Sequence, residues 1–472
     1  MDEDLVVVVP GVMGSRLVDR EGREVWGLSA GSALGALRTL GGSLRALELP
    51  EDVGDGPAPD GVVARGLMPS FHVIPGVWTP VQGYAELLGF LGARRFGLTV
   101  DRSHAEGGAQ GNLLVFAYDW RLSNRFSAVC LKARVEPALL RWRASAPQRR
   151  DAKVVFICHS MGGLVARWYL DRLGGAEIAR VLVTLGTPHR GAAKVVDQLV
   201  NGVRKGPGPF KLDLTRFARS LPSSYQLLPE YACITTGAGG LKKTTEVELP
   251  DIDKDLVADG MRFHEEVDAS YMPGYPRVPV VGIGQPTPTS VELDGNGVVI
   301  HTAFDGVDRG GDGTVPRLAA RPKAMLETDP VIRGVGEGHG LLAAHKSVTD
   351  QLDLVVSAQN VVYRAGSPSK KDVIGVSVPD LHEVGEAIEV SVASPSRRTL
   401  EVLAIDESGS EAGWAGVRYG GATDDDGRPL GSATLGGVGP GGYTIVVRAP
   451  DDPRGISSVA PVRSTTLVLG VS

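Results

Sequence analysis

Leu5-Val6-Val7-Val8-Val9 is an unbroken run of apolar, mostly β-branched residues closed by Pro10-Gly11. A strand with one wet face alternates apolar and polar residues. A strand with no polar position needs cover on both faces, which predicts a parallel sheet between two layers of helix. Residues 113–118, 154–158, 181–185 and 278–283 repeat the pattern, and residues 128–144 and 162–173 between them have helical character. That alternation predicts an α/β architecture. From about 191 to 277 the sequence is irregular, which predicts a cap or lid inserted ahead of the last strands.

Beyond about residue 358 the texture changes. Segments 388–393, 399–405, 432–435 and 443–447 are short and strand-like, separated by turns such as Ser408-Gly409, Asp426-Gly427 and Pro440-Gly441-Gly442. These features predict a small all-β domain, an immunoglobulin-like sandwich. The expected domains are 1–357 and 372–472, with a linker near 357–371. Asp424-Asp425-Asp426 lacks the spaced oxygen ligands and distal Glu of a calcium loop and reads as a solvated turn.

A residue content of 42% hydrophobic and 22% charged is that of an ordinary globular chain. The net charge of −6, without a long basic run, excludes a general nucleic-acid binder. Three cysteines, Cys130, Cys158 and Cys233, are too few and too scattered for a disulfide framework or a zinc cluster. No metal and no cofactor is expected. The first residues, Met1-Asp2-Glu3-Asp4, lack the basic region of a secretory signal, and no apolar run approaches the ~20 residues of a spanning helix. The expected location is therefore cytoplasmic.

The sharpest local signal is Cys158-His159-Ser160-Met161-Gly162-Gly163, between a buried strand and a helical stretch. A serine hydroxyl is a weak nucleophile until a base takes its proton. A tight strand-to-helix elbow presents such a serine, and it needs small residues two before and two after. Gly162 meets the second need, and Cys158 stands where glycine is usual. A serine capping a helix is the ordinary alternative.

In this architecture an acid and then a histidine follow the serine. Asp312, in Gly310-Gly311-Asp312-Gly313-Thr314-Val315-Pro316, is the candidate acid, with Asp305 and Asp308 as competitors. His339, in Gly336-Glu337-Gly338-His339-Gly340, is the candidate base, with His345 as rival inside an expected helix over 343–355. His159 and His189 read as packing or hydrogen-bonding residues. A tetrahedral oxyanion needs donors. The Met161 N–H supplies one, and the Val12 N–H, on the loop Pro10-Gly11-Val12-Met13-Gly14-Ser15, is the candidate for the second.

These residues resemble the lecithin:cholesterol acyltransferase family, which includes lysosomal phospholipase A2. The resemblance lies in the loop at 10–15, Tyr118-Asp119-Trp120-Arg121, His159-Ser160-Met161-Gly162-Gly163, Gly186-Thr187-Pro188-His189-Arg190-Gly191, Pro222-Ser223-Ser224-Tyr225-Gln226-Leu227-Leu228-Pro229, Gly311-Asp312-Gly313-Thr314-Val315-Pro316 and Glu337-Gly338-His339, in that order over roughly residues 5–355. It implies an α/β-hydrolase fold with a cap and acyl transfer from glycerolipids or related esters to water or an alcohol. Ser160 is then the nucleophile, Asp312 the orienting acid and His339 the base, with Val12 and Met161 at the oxyanion. Trp120 and Tyr225 are expected near substrate or lid. Trp78, in Phe71-His72-Val73-Ile74-Pro75-Gly76-Val77-Trp78, is expected to touch a membrane surface or to pack under the cap. The cysteines do not reproduce the lid disulfide of the secreted members, and the resemblance stops before the C-terminal domain.

The expected activity is therefore that of a lipase, phospholipase or O-acyltransferase with a lipid or ester substrate. A small-ester or lactone hydrolase is the alternative enzyme, and a non-catalytic binding protein is the alternative class. The C-terminal β-domain is expected to offer a surface to a protein partner, as in a partner-regulated effector that degrades membrane lipid.

Overall fold

The computed structural model describes residues 3–27, 47–50, 53–68, 84–93, 96–102, 108–205, 212–237, 239–269, 274–294, 297–344, 348–349, 352, 373–450 and 461–469. The segment at 71–78 with Trp78, the linker at 357–371 and His345 lie outside these residues.

Six parallel strands form the central sheet: β1 (Leu5–Val9), β2 (Leu113–Val115), β3 (Val154–His159), β4 (Ala179–Leu185), β5 (Arg277–Gly282) and β6 (Arg333–Val335), in the spatial order β2-β1-β3-β4-β5-β6. Every residue of β1 and β3 is buried. Side chains alternate across a strand, so Leu5, Val7, Val9, Val154, Phe156 and Cys158 fill one core cluster. Val6, Val8, Val155 and Ile157 fill a second on the opposite face. The absence of polar alternation thus reflects two covered faces.

The helices are α1 (Ala85–Gly92), α2 (Asn124–Ala144), α3 (Gly162–Arg172), α4 (Ala193–Val200) and α5 (Lys254–Asp268). α2 begins four residues before the expected 128 because Ser123 caps it, its Oγ accepting the Arg125 N–H. Asp253 caps α5 by accepting from Asp255 and Leu256. Strand β2 is shorter than the expected 113–118. After the Phe116 N–H bonds Val8, the chain leaves the sheet and spends its next polar groups on the loop at 10–15. Ahead of the expected helix over 343–355 lies a 3-10 helix, His339–Ala344, and the described residues 348–349 and 352 within that span are helical.

The segment 191–277 contains α4, α5 and two short helices, Thr215–Ser220 and Pro222–Tyr225. Its apolar residues Phe217, Leu221, Tyr225 and Phe263 belong to the same cluster as one face of the sheet. Among the described residues they pack onto the main core.

The C-terminal residues form two antiparallel-rich sheets with a separate core. One holds β7 (Gly375–Ser377), β9 (Ile388–Ala393), β13 (Pro429–Leu435) and β12 (Arg418–Thr423), in that order. The other holds β8 (Leu381–Glu383), β15 (Val462–Leu469), β14 (Gly441–Arg448), β10 (Glu401–Asp406) and β11 (Glu411–Gly416). The edge strands β11 and β12 are mostly exposed and glycine-bearing, so no apolar period marks them in the sequence. Asp424 closes the turn ahead of β13, accepting from Asp426 and Arg428 and pairing with the Arg428 guanidinium. No helix among the described residues is long and apolar enough to cross a membrane.

Candidate active site

Ser160 stands at the elbow between β3 and α3 with φ of 51°, a left-handed conformation uncommon for a residue with a side chain. The tightness of the elbow is visible at Gly162, where any Cβ would run into the carbonyls of Val9 and Pro10. The strained turn is fastened by the Ser160 N–H donating to Leu185 and by the Thr187 hydroxyl donating to the Ser160 carbonyl, at 2.9 and 2.8 Å. Cys158 is fully buried within β3, opposite Val9 and Thr184 on the flanking strands.

The loops after β5 and β6 bring the other two residues to this point. His339 Nε2 lies 2.8 Å from Ser160 Oγ, and His339 Nδ1 lies 2.7 Å from Asp312 Oδ2. The second Asp312 oxygen accepts from the Thr314 and Val315 N–H groups, at 2.9 and 2.7 Å, and the His339 N–H donates to the Asp312 carbonyl at 2.8 Å. A carboxylate only accepts, so Nδ1 carries the ring proton and Nε2 faces the serine as an acceptor. Of the competing acids, Asp308 caps its own turn through the Gly310 N–H.

Gly11 packs against Ser160, with a Cβ there falling 2.8 Å from the serine Cβ. Neither the Val12 nor the Met161 N–H meets an acceptor among the described residues. The loop is held by Tyr118 and Trp120. Tyr118 donates its hydroxyl to Pro10 and takes the Ser15 hydroxyl at its N–H, and the Trp120 indole donates to the Ser15 carbonyl. Trp120 is fully buried against Trp26 and Phe217, and Tyr225 is buried with its hydroxyl donating to the Arg219 carbonyl. Both side chains, expected near substrate or lid, are buried in the apolar cluster that covers one face of the sheet. Arg121 is equally buried and lies between Asp119 and Asp60, at 2.7 Å from each.

His159, read from the sequence as a packing or hydrogen-bonding residue, and Tyr84 join the loops. His159 Nε2 is 3.0 Å from the His339 carbonyl, which only accepts, so Nε2 carries the proton and Nδ1 accepts from the Tyr84 hydroxyl, also at 3.0 Å. Tyr84 in turn takes the Gly11 N–H at 2.9 Å. Burial, with the adjoining His339 as a smaller cause, pushes the His159 pKa down to about 3, so the ring keeps this neutral pattern. Tyr84 at the start of α1 carries no motif, and only the fold brings it here. Tyr84→Phe should leave the Gly11 N–H and His159 Nδ1 unpaired, at roughly 1–3 kcal/mol for each group. An unchanged urea midpoint in that variant would remove the bridge from the account of stability.

Among the described residues no three His, Cys, Asp or Glu side chains converge as a metal site. The model of the lecithin:cholesterol acyltransferase family matches residues 96–266, a stretch that includes Ser160 and ends before Asp312 and His339. Among solved structures the chain is similar to one from the Tle4-Tli4 complex, with 16% identity over 75% of this chain and 99% of that one and a TM-score of 0.48. It is also similar to Bacillus licheniformis lipase BlEst2 in its propeptide form, with 11% identity over 99% of this chain and 93% of that one and a TM-score of 0.33. Among curated proteins none matches the sequence. The folded chain together with the family match is that of an α/β-hydrolase of the ester hydrolase or acyltransferase kind, similar to the lecithin:cholesterol acyltransferase family.

Proposed function

We propose that the protein cleaves carboxylic esters of lipids, as a phospholipase A or lipase, through an acyl-serine intermediate. The hydrogen-bonded line Ser160–His339–Asp312 is the observation that supports this most directly. The lipid class rests on the likeness to the family over residues 96–266.

His339 Nε2 takes the Ser160 hydroxyl proton as Oγ bonds to the ester carbonyl carbon. The former carbonyl oxygen becomes an oxyanion and meets the Val12 and Met161 N–H groups. As the intermediate collapses, the bond to the leaving alcohol breaks, and the imidazolium gives its proton to that alcohol. Water or a second alcohol then repeats the sequence on the acyl-serine and restores the serine hydroxyl. Asp312 holds the ring in the required tautomer and faces the positive charge that His339 carries between steps.

The test sets phospholipid and triacylglycerol vesicles beside a soluble short-chain ester, with Ser160→Ala as the control. Fatty-acid release from vesicles that falls by at least about 10³-fold in the variant is the expected result. Turnover of the soluble ester alone would replace the lipid substrate with small esters. Turnover that survives in Ser160→Ala would overturn the acyl-serine mechanism.

A further inference from the structure

The two loops that carry Asp312 and His339 share a neighbour outside the α/β core. Glu337, two residues before His339, is completely buried, and its Oε1 accepts the N–H of Arg463 at 2.7 Å. Arg463 belongs to β15, where its partner on one side is Val446 of β14. On the other side β8 pairs with Leu467–Leu469, and among the described residues no strand flanks the start of β15 there. Glu337 takes the place of the missing strand. Gly338 completes the fit, since a Cβ on it would stand 3.2 Å from the Arg463 carbonyl oxygen.

The acid loop is tied to the same domain. Gln285, just past β5, exchanges both backbone hydrogen bonds with Gly311, the residue before Asp312. Its side chain reaches across to the stretch leading into β7, accepting the Val376 N–H at 2.9 Å and donating to the Ile374 carbonyl at 3.2 Å. An amide side chain that satisfies an N–H and a carbonyl on one strand imitates a backbone partner.

We propose that the C-terminal β-domain is a built-in clamp on the site, with Glu337 and Gln285 as positioning residues that hold the base loop and the acid loop against β15 and β7. The proposal rests on the assignment of His339 and Asp312 as base and orienting acid. It gives the β-domain an intramolecular role beside the partner surface expected from the sequence. Burial pushes the Glu337 carboxyl up to about 8, with the Arg463 N–H pulling the other way. At neutral pH the clamp therefore stands beside His339 largely uncharged, and a glutamine can take its place.

The experiment uses the full-length chain, a fluorophosphonate probe to count reactive Ser160, and p-nitrophenyl butyrate for kcat and KM. Glu337→Leu removes the acceptor, Arg463→Pro removes the donor at a strand position whose N–H bonds no other strand, and Gln285→Ala releases the acid loop. Each should lower kcat per labelled site by about ten- to a hundredfold with KM within about twofold, the scale expected when a reacting group drifts by about an ångström. Glu337→Gln should stay within about threefold of the parent, because its amide oxygen still accepts the Arg463 N–H. Arg463→Pro and Gln285→Ala leave the base-loop sequence intact, so they decide the matter if Glu337→Leu fails to fold. Variants that only lower the melting temperature while keeping the parent kcat per labelled site overturn the clamp. A parent chain that neither labels nor turns over ester removes instead the hydrolase reading on which it rests.

Discussion

Replacing Asp312 by Asn should lower kcat by on the order of 10⁴ while the fold stays intact. The direction follows from the hydrogen bonds around the carboxylate. One oxygen is committed to the Thr314 and Val315 N–H groups, both of which donate, so in Asp312→Asn the amide oxygen must stay there. The amide NH2 then faces His339 Nδ1 and requires it to accept. The ring proton moves to Nε2, and the imidazole presents an N–H to Ser160 where a lone pair is needed. The serine keeps its hydroxyl but loses its base. Esterase rates measured beside the melting temperature check this, and a variant within about tenfold of the parent kcat would sink the assigned role of Asp312. Steepening of the loss toward neutral pH, with partial recovery at high pH where hydroxide substitutes for the base, is the expected accompanying profile.

The second large effect is a loss of stability in mild acid. His159, His189 and His264 are buried and held neutral, with burial as the leading cause in each. Their pKa values fall to about 3 for His159, to about 4 for His264 and well below the ordinary value for His189, where the Arg167 and Arg277 charges add to the burial. In the unfolded chain all three take a proton near pH 6.5. Below that pH the unfolded state binds more protons, so stability falls as pH falls, through a window that runs from about 6.5 to about 3. At pH 5 each histidine contributes a loss of roughly 2 kcal/mol.

Glu337 works the other way. Its folded pKa is raised to about 8, so the folded state binds the extra proton between the ordinary carboxyl range and pH 8. Its contribution is present at low pH and lost as pH rises through 8, and between about 4.5 and 6.5 it offsets roughly one of the histidines. A net loss of about 3 kcal/mol at pH 5 relative to pH 7 remains, a large part of the roughly 5–15 kcal/mol that holds an ordinary domain together. Urea unfolding at the two pH values measures it. A midpoint that does not move would mean that these rings are protonated in the folded chain.

One of these histidines, His159, also ties together the loops around Ser160. His159 links the loop at 10–15, through Tyr84 and Gly11, to the carbonyl of His339, with its Nδ1 accepting from Tyr84 in the neutral ring. Acid should therefore disturb the geometry of the loops before the core unfolds, since the bridge is a buried network whose members satisfy one another.

The sequence by itself determined the elements whose physics is local. A strand covered on both faces has no polar residue to hide it, so Leu5–Val9 and Val154–His159 were readable from period alone. The elbow was readable because its steric needs fall within a few residues of Ser160, and Asp312 and His339 because glycine-rich loops announce sharp turns. Strands β11 and β12 were not readable, since an exposed edge imposes no apolar pattern. Strand β15 was hidden by the polar run Arg463-Ser464-Thr465-Thr466, in which the Thr466 hydroxyl meets the distant Pro379 carbonyl. The tertiary structure alone decided that the Trp120 indole reaches Ser15, that Tyr84 reaches Gly11, and that Glu337 and Gln285 meet the β-domain. The reason is the same in each case. A buried donor or acceptor must find a partner, and where that partner stands more than 70 residues away along the chain, no local spacing records the choice.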